Sequence, residues 1–536
     1  MSKYIFVMGG VISSLGKGVL SASIGVLLKK SGYDVDIQKV DPYLNCDSGT
    51  LSPYEHGECY VTEDGVETDL DLGNYERFLD IRTTKNNIIT GGNVYKTVIQ
   101  NERSGRYLGK TVQLVPHVTD EIKKRFRSFE KKSRNLQHFV IIEIGGTIGD
   151  IESLPFVEAV RQFKLENNSQ DILVLHLTWV PYIETAKELK TKPAQHSIKN
   201  LLSLGIQPDI IICRSQIKIL SDIKNKIAFF SNLNPNSVLG LENVDLVYKV
   251  PNILLQQNIL NIVSDKMNLN QDNSKNIMNC WTNILSDIIN YSQEIKIAII
   301  GKYSKVPDSY LSIKESLLYA SISCKVKYKI VFIDPEIGAK NNITILKEVK
   351  GILVAPGFGI RGIEGKIAII KYARENQIPF LGICLGMHCA LIELARNVLG
   401  IADANSEEFT SESKNLIITK LSQNKKLDKE FNFDMHLGKK DINIIKDTKA
   451  YLIYGQNKIY ERFRHKYHFN KKYQKIFELD AGAVFSGFRE LDKVTSMFEL
   501  KSHPFFIGVQ FHAEFNSFFN RPNKLFLKFI EETVKN

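Results

Sequence analysis

The chain predicts an α/β protein built as two doubly wound parallel-sheet domains, and three observations carry that reading. Apolar, strand-like runs at residues 4–8, 34–40, 139–144, 172–177 and 209–213 are each followed by an amphipathic stretch, the alternation that builds a mostly parallel sheet covered by helices. A second series of the same kind starts at Ile295-Lys296-Ile297-Ala298-Ile299-Ile300 and continues through Val331, Ile352 and Phe380. In both series a strand runs into a tight glycine turn that opens a helix, the usual place for a ligand or a nucleophile in such sheets. The boundaries read as an N-terminal domain over residues 1–267, a polar, Asn-rich linker over 268–294, and a C-terminal domain over 295–536.

Composition agrees with this plan. A chain of 536 residues is too long for one hydrophobic core, and 43% hydrophobic with 24% charged residues is ordinary for globular domains. No run of about twenty apolar residues is present, and the first residues read as a strand, so a cytoplasmic protein without a membrane partner is expected. The cysteines Cys46, Cys59, Cys213, Cys280, Cys324, Cys384 and Cys389 form no C-x-x-C pair, which fits a reducing compartment and argues against disulfides or zinc. A net charge of +11 is spread along a chain rich in Lys, Ile and Asn, so it reads as solvated faces with some phosphate pockets, and no nucleic-acid partner is expected.

The first strand leads into Gly9-Gly10-Val11-Ile12-Ser13-Ser14-Leu15-Gly16-Lys17-Gly18 and then a helix from Val19. Glycines let backbone N–H groups crowd a phosphate, a lysine adds charge and the helix N-terminus adds its dipole, so this is a phosphate loop. It departs from G-x-x-x-x-G-K-[ST], because Gly18 stands where the hydroxyl residue belongs. Two acidic segments fit magnesium triphosphate chemistry. Thr68-Asp69-Leu70-Asp71-Leu72-Gly73 is expected to carry two carboxylates on one face of an extended segment, and Glu143 is expected at the end of a buried strand.

In the second series, Phe380-Leu381 enters Gly382-Ile383-Cys384-Leu385-Gly386 and a helix follows. That is a nucleophile elbow, which holds the cysteine off the sheet edge and aims a helix N-terminus at its thiol. Val509-Gln510-Phe511-His512-Ala513-Glu514 reads as a short strand with His512 and Glu514 on one face. A thiol activated by an imidazole that a carboxylate orients is the arrangement for acyl transfer through a thioester, with Cys384 as nucleophile, His512 as base and Glu514 as orienter. The loop Pro356-Gly357-Phe358-Gly359-Ile360-Arg361-Gly362, after the strand at 351–354, supplies an oxyanion donor.

G-I-C-L-G, the late H-x-E and the glycine loop resemble a class I glutamine amidotransferase. The runs Ser13-Ser14-Leu15-Gly16-Lys17-Gly18, Lys39-Val40-Asp41-Pro42-Tyr43, Thr62-Glu63-Asp64-Gly65, Glu143-Ile144-Gly145-Gly146-Thr147, Gly149-Asp150-Ile151-Glu152-Ser153-Leu154-Pro155-Phe156 and Lys190-Thr191-Lys192-Pro193-Ala194-Gln195-His196-Ser197 extend the resemblance over nearly the whole chain, to the CTP synthase family. The resemblance implies that ATP phosphorylates the 4-oxygen of UTP and that ammonia from glutamine then displaces phosphate to give CTP. It implies ATP contacts from Ser14, Leu15, Gly16, Lys17, Gly18, Lys39 and Asp71, with Mg2+ held by Asp71 and Glu143. It implies contacts to UTP, or to CTP as feedback inhibitor, from Ser13, Asp150, Ile151, Glu152, Lys190, Thr191, Lys192, Gln195 and Lys226. Glutamine falls to Gly357, Leu385, His388, Glu408 and Lys466, activation by GTP falls to Arg361, and a homotetramer is implied.

The chain departs from the family pattern mainly in its C-terminal half. Asn243 replaces an Asp, Arg106 replaces an acidic residue, Pro356 replaces a loop glycine, and His388 replaces the Gln after the elbow. Ala513 replaces the Pro of H-P-E, Lys466 replaces the Arg expected to grip the glutamine carboxylate, and Asn432-Phe433-Asp434-Met435-His436 replaces G-G-T-M-R. Lysine keeps the charge but loses the forked geometry, so weaker glutamine binding is expected. The alternative is an ammonia-dependent CTP synthase whose glutaminase has decayed. An amidotransferase acting on a cofactor acid and a filament-forming structural protein are the remaining rivals.

Overall fold

The computed structural model describes residues 2–130, 137–269, 278, 281–283, 285, 291–336, 344–410, 412–420 and 435–536, and divides the chain into two compact units. One comprises Met1–Ser48 with Asn74–Ser286, the other Gly49–Gly73 with Asp287–Asn536.

The first unit is built on a seven-stranded, all-parallel sheet. Its order across the sheet is Val238–Glu242, Ile210–Ser215, Ile172–Trp179, Lys3–Gly9, His138–Ile144, Asp34–Asp41 and Ile88–Thr90. Lys3–Gly9, His138–Ile144 and seven of the eight residues of Ile172–Trp179 are buried, as strands covered by helices on both faces must be. The chain leaves the central Lys3–Gly9 strand and later returns to flank it on both sides, so the loop after Gly9 lies at a switch point of the strand order. The five runs expected as strands are all present. The two edge strands were not legible, because three and five residues give too short a pattern to separate from loop. Of the expected linker, residues 270–277, 279, 280, 284 and 286–290 lie outside the described residues. Trp281 is buried and donates its indole N–H to the Tyr248 carbonyl at 2.7 Å.

The second unit contains a nine-stranded mixed sheet. Lys327–Ile333, Glu294–Ile300, Gly351–Val354 and Phe380–Ile383 are parallel and match the expected series, and Phe506–Val509 joins them as a fifth parallel strand. Thr495–Leu500, Ala483–Arg489, His436–Ile444 and Lys458–His465 extend it antiparallel. Gly49–Gly73 packs in this unit for specific reasons. The Glu58 carboxylate accepts the Ser312 backbone N–H at 2.8 Å, Arg462 Nη1 donates to the Tyr60 hydroxyl at 3.0 Å and the Val61 carbonyl at 2.9 Å, and Arg464 Nε donates to Glu67 at 2.7 Å. The Thr62-Glu63-Asp64-Gly65 run is a turn, with the Thr62 hydroxyl on Asp64 and the Val66 N–H on that hydroxyl, and Glu63 accepts the Lys439 backbone N–H at 2.9 Å.

Candidate active sites

Phe380–Ile383 ends at Cys384, whose φ of 52° and ψ of −102° lie outside the helical and extended regions, and Leu385–Asn397 begins at once. A non-glycine residue held at such angles costs about 1–3 kcal/mol and persists only where its surroundings fix it. Here the Cys384 N–H donates to Val509 at 2.7 Å, tying the elbow to the neighbouring strand. The flanking glycines are steric necessities. A Cβ on Gly382 would stand 2.8 Å from the Gly386 backbone, and one on Gly386 would stand 2.3 Å from the Val354 carbonyl oxygen.

His512 and Glu514 do not lie on a strand as expected. Phe506–Val509 ends first, His512 is held by its N–H on the Arg462 carbonyl, and Ala513–Asn516 is a 3-10 turn. The turn still brings the pair together, with His512 Nδ1 2.7 Å from Glu514 Oε1 and both side chains buried. Burial works against a charged imidazole, yet the Glu514 carboxylate and the Cys384 sulfur outweigh it and push His512 up to about 10. With Nδ1 on Glu514, the hydrogen bond to the Cys384 sulfur that helps raise His512 falls to Nε2, the atom placed to exchange a proton. The Cys384 thiol donates to the Arg464 carbonyl at 3.6 Å and accepts from Gln510 Nε2 at 3.6 Å.

The glycine loop lies beside the elbow, since a Cβ on Gly357 would stand 3.6 Å from the Leu385 side chain. Glu408 Oε1 accepts the Gly359 N–H at 2.7 Å. Burial raises the Glu408 carboxyl, against the pull of that N–H and of the ammonium groups of Lys302, Lys366 and Lys466. The residues assigned to the amino and carboxylate ends of glutamine therefore lie in each other's field. Lys366 is 1% exposed, and burial pulls it below the usual lysine range. Arg361 Nη2 donates to the Tyr54 hydroxyl at 2.9 Å and the Lys302 carbonyl at 2.7 Å. His388 is 2% exposed and engages Gln510 Oε1 at 2.8 Å. Of the altered segment before Leu437, residues 432–434 lie outside the described residues, and His436 accepts from Arg489 at 2.8 Å.

In the first unit, Gly16 takes a left-handed φ of 98° at the N-terminus of the helix Lys17–Lys30, and Ser14 is also left-handed at 56°. Lys17 Nζ donates to the Gly146 carbonyl at 2.7 Å, Leu15 and Gly18 are buried, and Ser13 and Ser14 are exposed. Arg214 Nη1 braces the loop through the Leu15 carbonyl at 2.7 Å. Glu143 is the penultimate residue of its buried strand, as expected. Its carboxylate meets Lys39 Nζ at 3.0 Å and the Tyr75 hydroxyl, with Lys39 and Glu143 both buried. Asp71 is not on an extended segment. Asp69 accepts the Asp71 N–H at 3.1 Å in the manner of a helix cap, and Asp71 sits in the first turn of Leu70–Leu79.

Of the residues assigned to the pyrimidine nucleotide, Asp150 Oδ2 accepts the Thr147 N–H at 2.9 Å, and Ile151 and Glu152 are exposed. Lys190 pairs with Glu188, Gln195 Nε2 donates to the Thr191 hydroxyl at 2.9 Å, and Lys192 and Lys226 are exposed. They sit on segments that follow three strands of one sheet. Sequence reasoning missed Gln510, Arg464 and Tyr75. Only Gln510 had a signal, two positions before His512.

A glycine turn with Lys17 at a helix N-terminus on the parallel sheet, and a cysteine elbow beside a buried His–Glu pair on the mixed sheet, place the chain among the amidotransferases. Residues 3–269 match the family model described as the CTP synthase N-terminus, and residues 305–532 match that of class-I glutamine amidotransferase. A CTP synthase of Cytophaga hutchinsonii is 49% identical over 531 residues, covering 99% of this chain and 98% of its own. One of Chlorobium luteolum is 51% identical over 532 residues, covering 98% and 88%. The glutaminase domain of Trypanosoma brucei CTPS, solved with bound acivicin, is 35% identical and covers 45% of this chain and 94% of its own, at a TM-score of 0.41. The chain belongs to the CTP synthase family, and it is a ligase carrying a class I glutamine amidotransferase domain. Among the described residues, no helix is long and apolar enough to cross a membrane.

Proposed function

We propose that the protein makes CTP by ATP-dependent amination of UTP, with ammonia released from glutamine at Cys384. The observation that carries this reading is the strained elbow with its 2.7 Å His512–Glu514 pair, in a chain similar over 98–99% of its length to CTP synthases. The Cys384 proton passes to His512 Nε2, the resulting thiolate attacks the glutamine carboxamide carbon, and the N–H groups of Gly357 and Leu385 take the charge that develops on the carboxamide oxygen. Protonated His512 gives its Nε2 proton to the departing ammonia, and then takes a proton from the water that opens the thioester to glutamate. Glu408 would hold the substrate ammonium and Lys466 its carboxylate.

On the synthase side, Ser14, Gly16, Lys17 and Lys39 would hold the phosphates of ATP. The 4-oxygen of UTP attacks the γ-phosphorus and ADP leaves. Ammonia then adds at C4 and inorganic phosphate departs, carrying the oxygen with it. Glu143 presents a carboxylate near the end of its strand, and Mg2+ commonly takes one or two carboxylates plus substrate phosphates. Glu143 and Asp71 would hold it, and the ion would neutralise phosphate charge. Asp150, Glu152, Lys190, Gln195 and Lys226 would bind the pyrimidine nucleotide, Arg361 would respond to GTP, and CTP would inhibit a homotetramer.

The ammonia-dependent reading rests on a different observation, that Lys466 replaces the forked cation while His388 is buried against Gln510. One experiment separates the two: CTP formation from ATP, UTP and Mg2+, with ammonia or with glutamine plus GTP, and with Cys384→Ala as control. Comparable rates with glutamine, lost in the variant, are expected. Turnover with ammonia alone would leave a synthase with a silent glutaminase.

A further inference from the structure

Beyond the triad, a buried relay reaches the reacting sulfur. Gln510 is fully buried, and the two ends of its amide meet different partners. Nε2 lies 3.6 Å from Cys384 Sγ, and Oε1 lies 2.8 Å from His388 Nε2. An amide turned by half a rotation would offer its oxygen to the sulfur instead, so the outcome depends on what fixes its orientation.

We propose that Gln510 is a catalytic residue of the glutaminase, donating an N–H to the Cys384 thiolate, and that His388 is the positioning residue that holds it in that orientation. This rests on the glutaminase reading above. Burial pushes His388 down to about 4, so its ring is neutral at pH 7. Its Nδ1 is buried with no partner. A proton there would be an orphaned donor, so the proton sits on Nε2 and donates to Gln510 Oε1. That bond turns the NH2 group to the sulfur. The opposite tautomer would draw the NH2 group to His388 and face an oxygen lone pair to Cys384, which suits a thiol and repels a thiolate.

The neighbouring imidazoles do not disturb this arrangement. Burial pulls both His465 and His468 below the usual histidine range, so neither places a positive charge beside His388. The family pattern has Gln at position 388, and a Gln side chain also carries an N–H donor. The substitution in this chain therefore keeps the donor while changing the group that supplies it.

The test uses the full-length protein, its Gln510→Met, Gln510→Glu, His388→Leu and His388→Gln variants, and two readouts. The first is the rate of iodoacetamide alkylation of Cys384 at pH 7, followed by peptide mass spectrometry. The second is kcat and KM for glutamine hydrolysis, with ammonia-dependent CTP synthesis reporting an intact fold. A hydrogen bond to a charged partner is worth roughly tenfold in such an equilibrium. Gln510→Met should slow alkylation about tenfold and lower kcat with little change in KM. Gln510→Glu, which keeps the shape but adds a negative charge, should slow it further, and it decides the matter should the Met variant misfold. His388→Leu should slow alkylation severalfold, and His388→Gln should restore it. Wild-type alkylation in folded Gln510→Met, or a His388→Leu variant changed only in KM, overturns the proposal. A wild-type protein that is alkylated but hydrolyses no glutamine refutes the glutaminase reading, while the alkylation series still decides the relay.

Discussion

Replacing Glu514 with Gln keeps the shape of the site and removes one charge. His512 Nδ1 lies 2.7 Å from Glu514 Oε1, with 5% and 2% of the side chains exposed, so water screens little of the interaction. Burial is the largest influence on His512 and opposes its protonation. The Glu514 carboxylate is the largest of those that overcome it. With a neutral amide in its place, burial prevails and the imidazole loses its proton at neutral pH. The proton that would go to the departing ammonia is then missing. Removal of the orienting carboxylate in other triads costs about 10⁴-fold in kcat, and a loss of 10³–10⁴-fold is expected here, with ammonia-dependent CTP synthesis within about twofold of wild type. Stability carries a second signature. Because the folded-state value of about 10 lies above the ordinary 6.5, the stabilisation from His512 is complete below pH 6.5 and is lost as pH rises through about 10. Breaking a buried pair costs about 3–5 kcal/mol. Urea unfolding of wild type and variant should therefore differ by about that much at pH 6 and converge above pH 10. Glutamine hydrolysis within threefold of wild type, or a stability gap that does not change with pH, would refute the reasoning.

Three other outcomes follow from separate contacts. Gly382→Ala places a methyl 2.8 Å from the Gly386 backbone and should lower stability by about 1–3 kcal/mol in urea, with glutamine hydrolysis falling more than ammonia-dependent synthesis. Lys466→Arg restores a forked donor and should lower the KM for glutamine severalfold with kcat little changed, measured by glutamate release. Glu143→Ala removes the 3.0 Å partner of the buried Lys39, which keeps Asp41 at 3.9 Å, so it should cost about 1–3 kcal/mol in the first unit and abolish CTP synthesis from either nitrogen source.

Much of the architecture is legible in the sequence because it rests on local patterns. Continuous apolar runs such as Tyr4-Ile5-Phe6-Val7-Met8 announce buried parallel strands, Gly16 marks a left-handed turn, and glycines at 382 and 386 mark positions where a side chain would strike backbone. The antiparallel strands of the second sheet were not legible. Lys458–His465 mixes charged and apolar residues without a clean alternation or a strong turn signal to fix its pairing, which only the register against His436–Ile444 settles. The packing of Gly49–Gly73 with the second unit was invisible for a similar reason. Tyr60 meets Arg462 across 402 positions, and no local periodicity encodes a pairing at that separation.

The candidate sites divide in the same way. Sequence alone determined the candidate chemical groups: the cysteine at the elbow, the histidine and glutamate near the C-terminus, and the glycine loop with its lysine, because each is a residue type bound to a local turn. Tertiary structure alone decided their company. It turned Ala513–Asn516 into a 3-10 turn that still joins His512 to Glu514, placed Asp71 in a helix, paired Lys39 with Glu143, and drew His388 onto Gln510. Local turns depend on backbone torsions that neighbouring residues set. The partners of a buried polar group depend on which distant segments exclude water around it, and that is known only once the chain is packed.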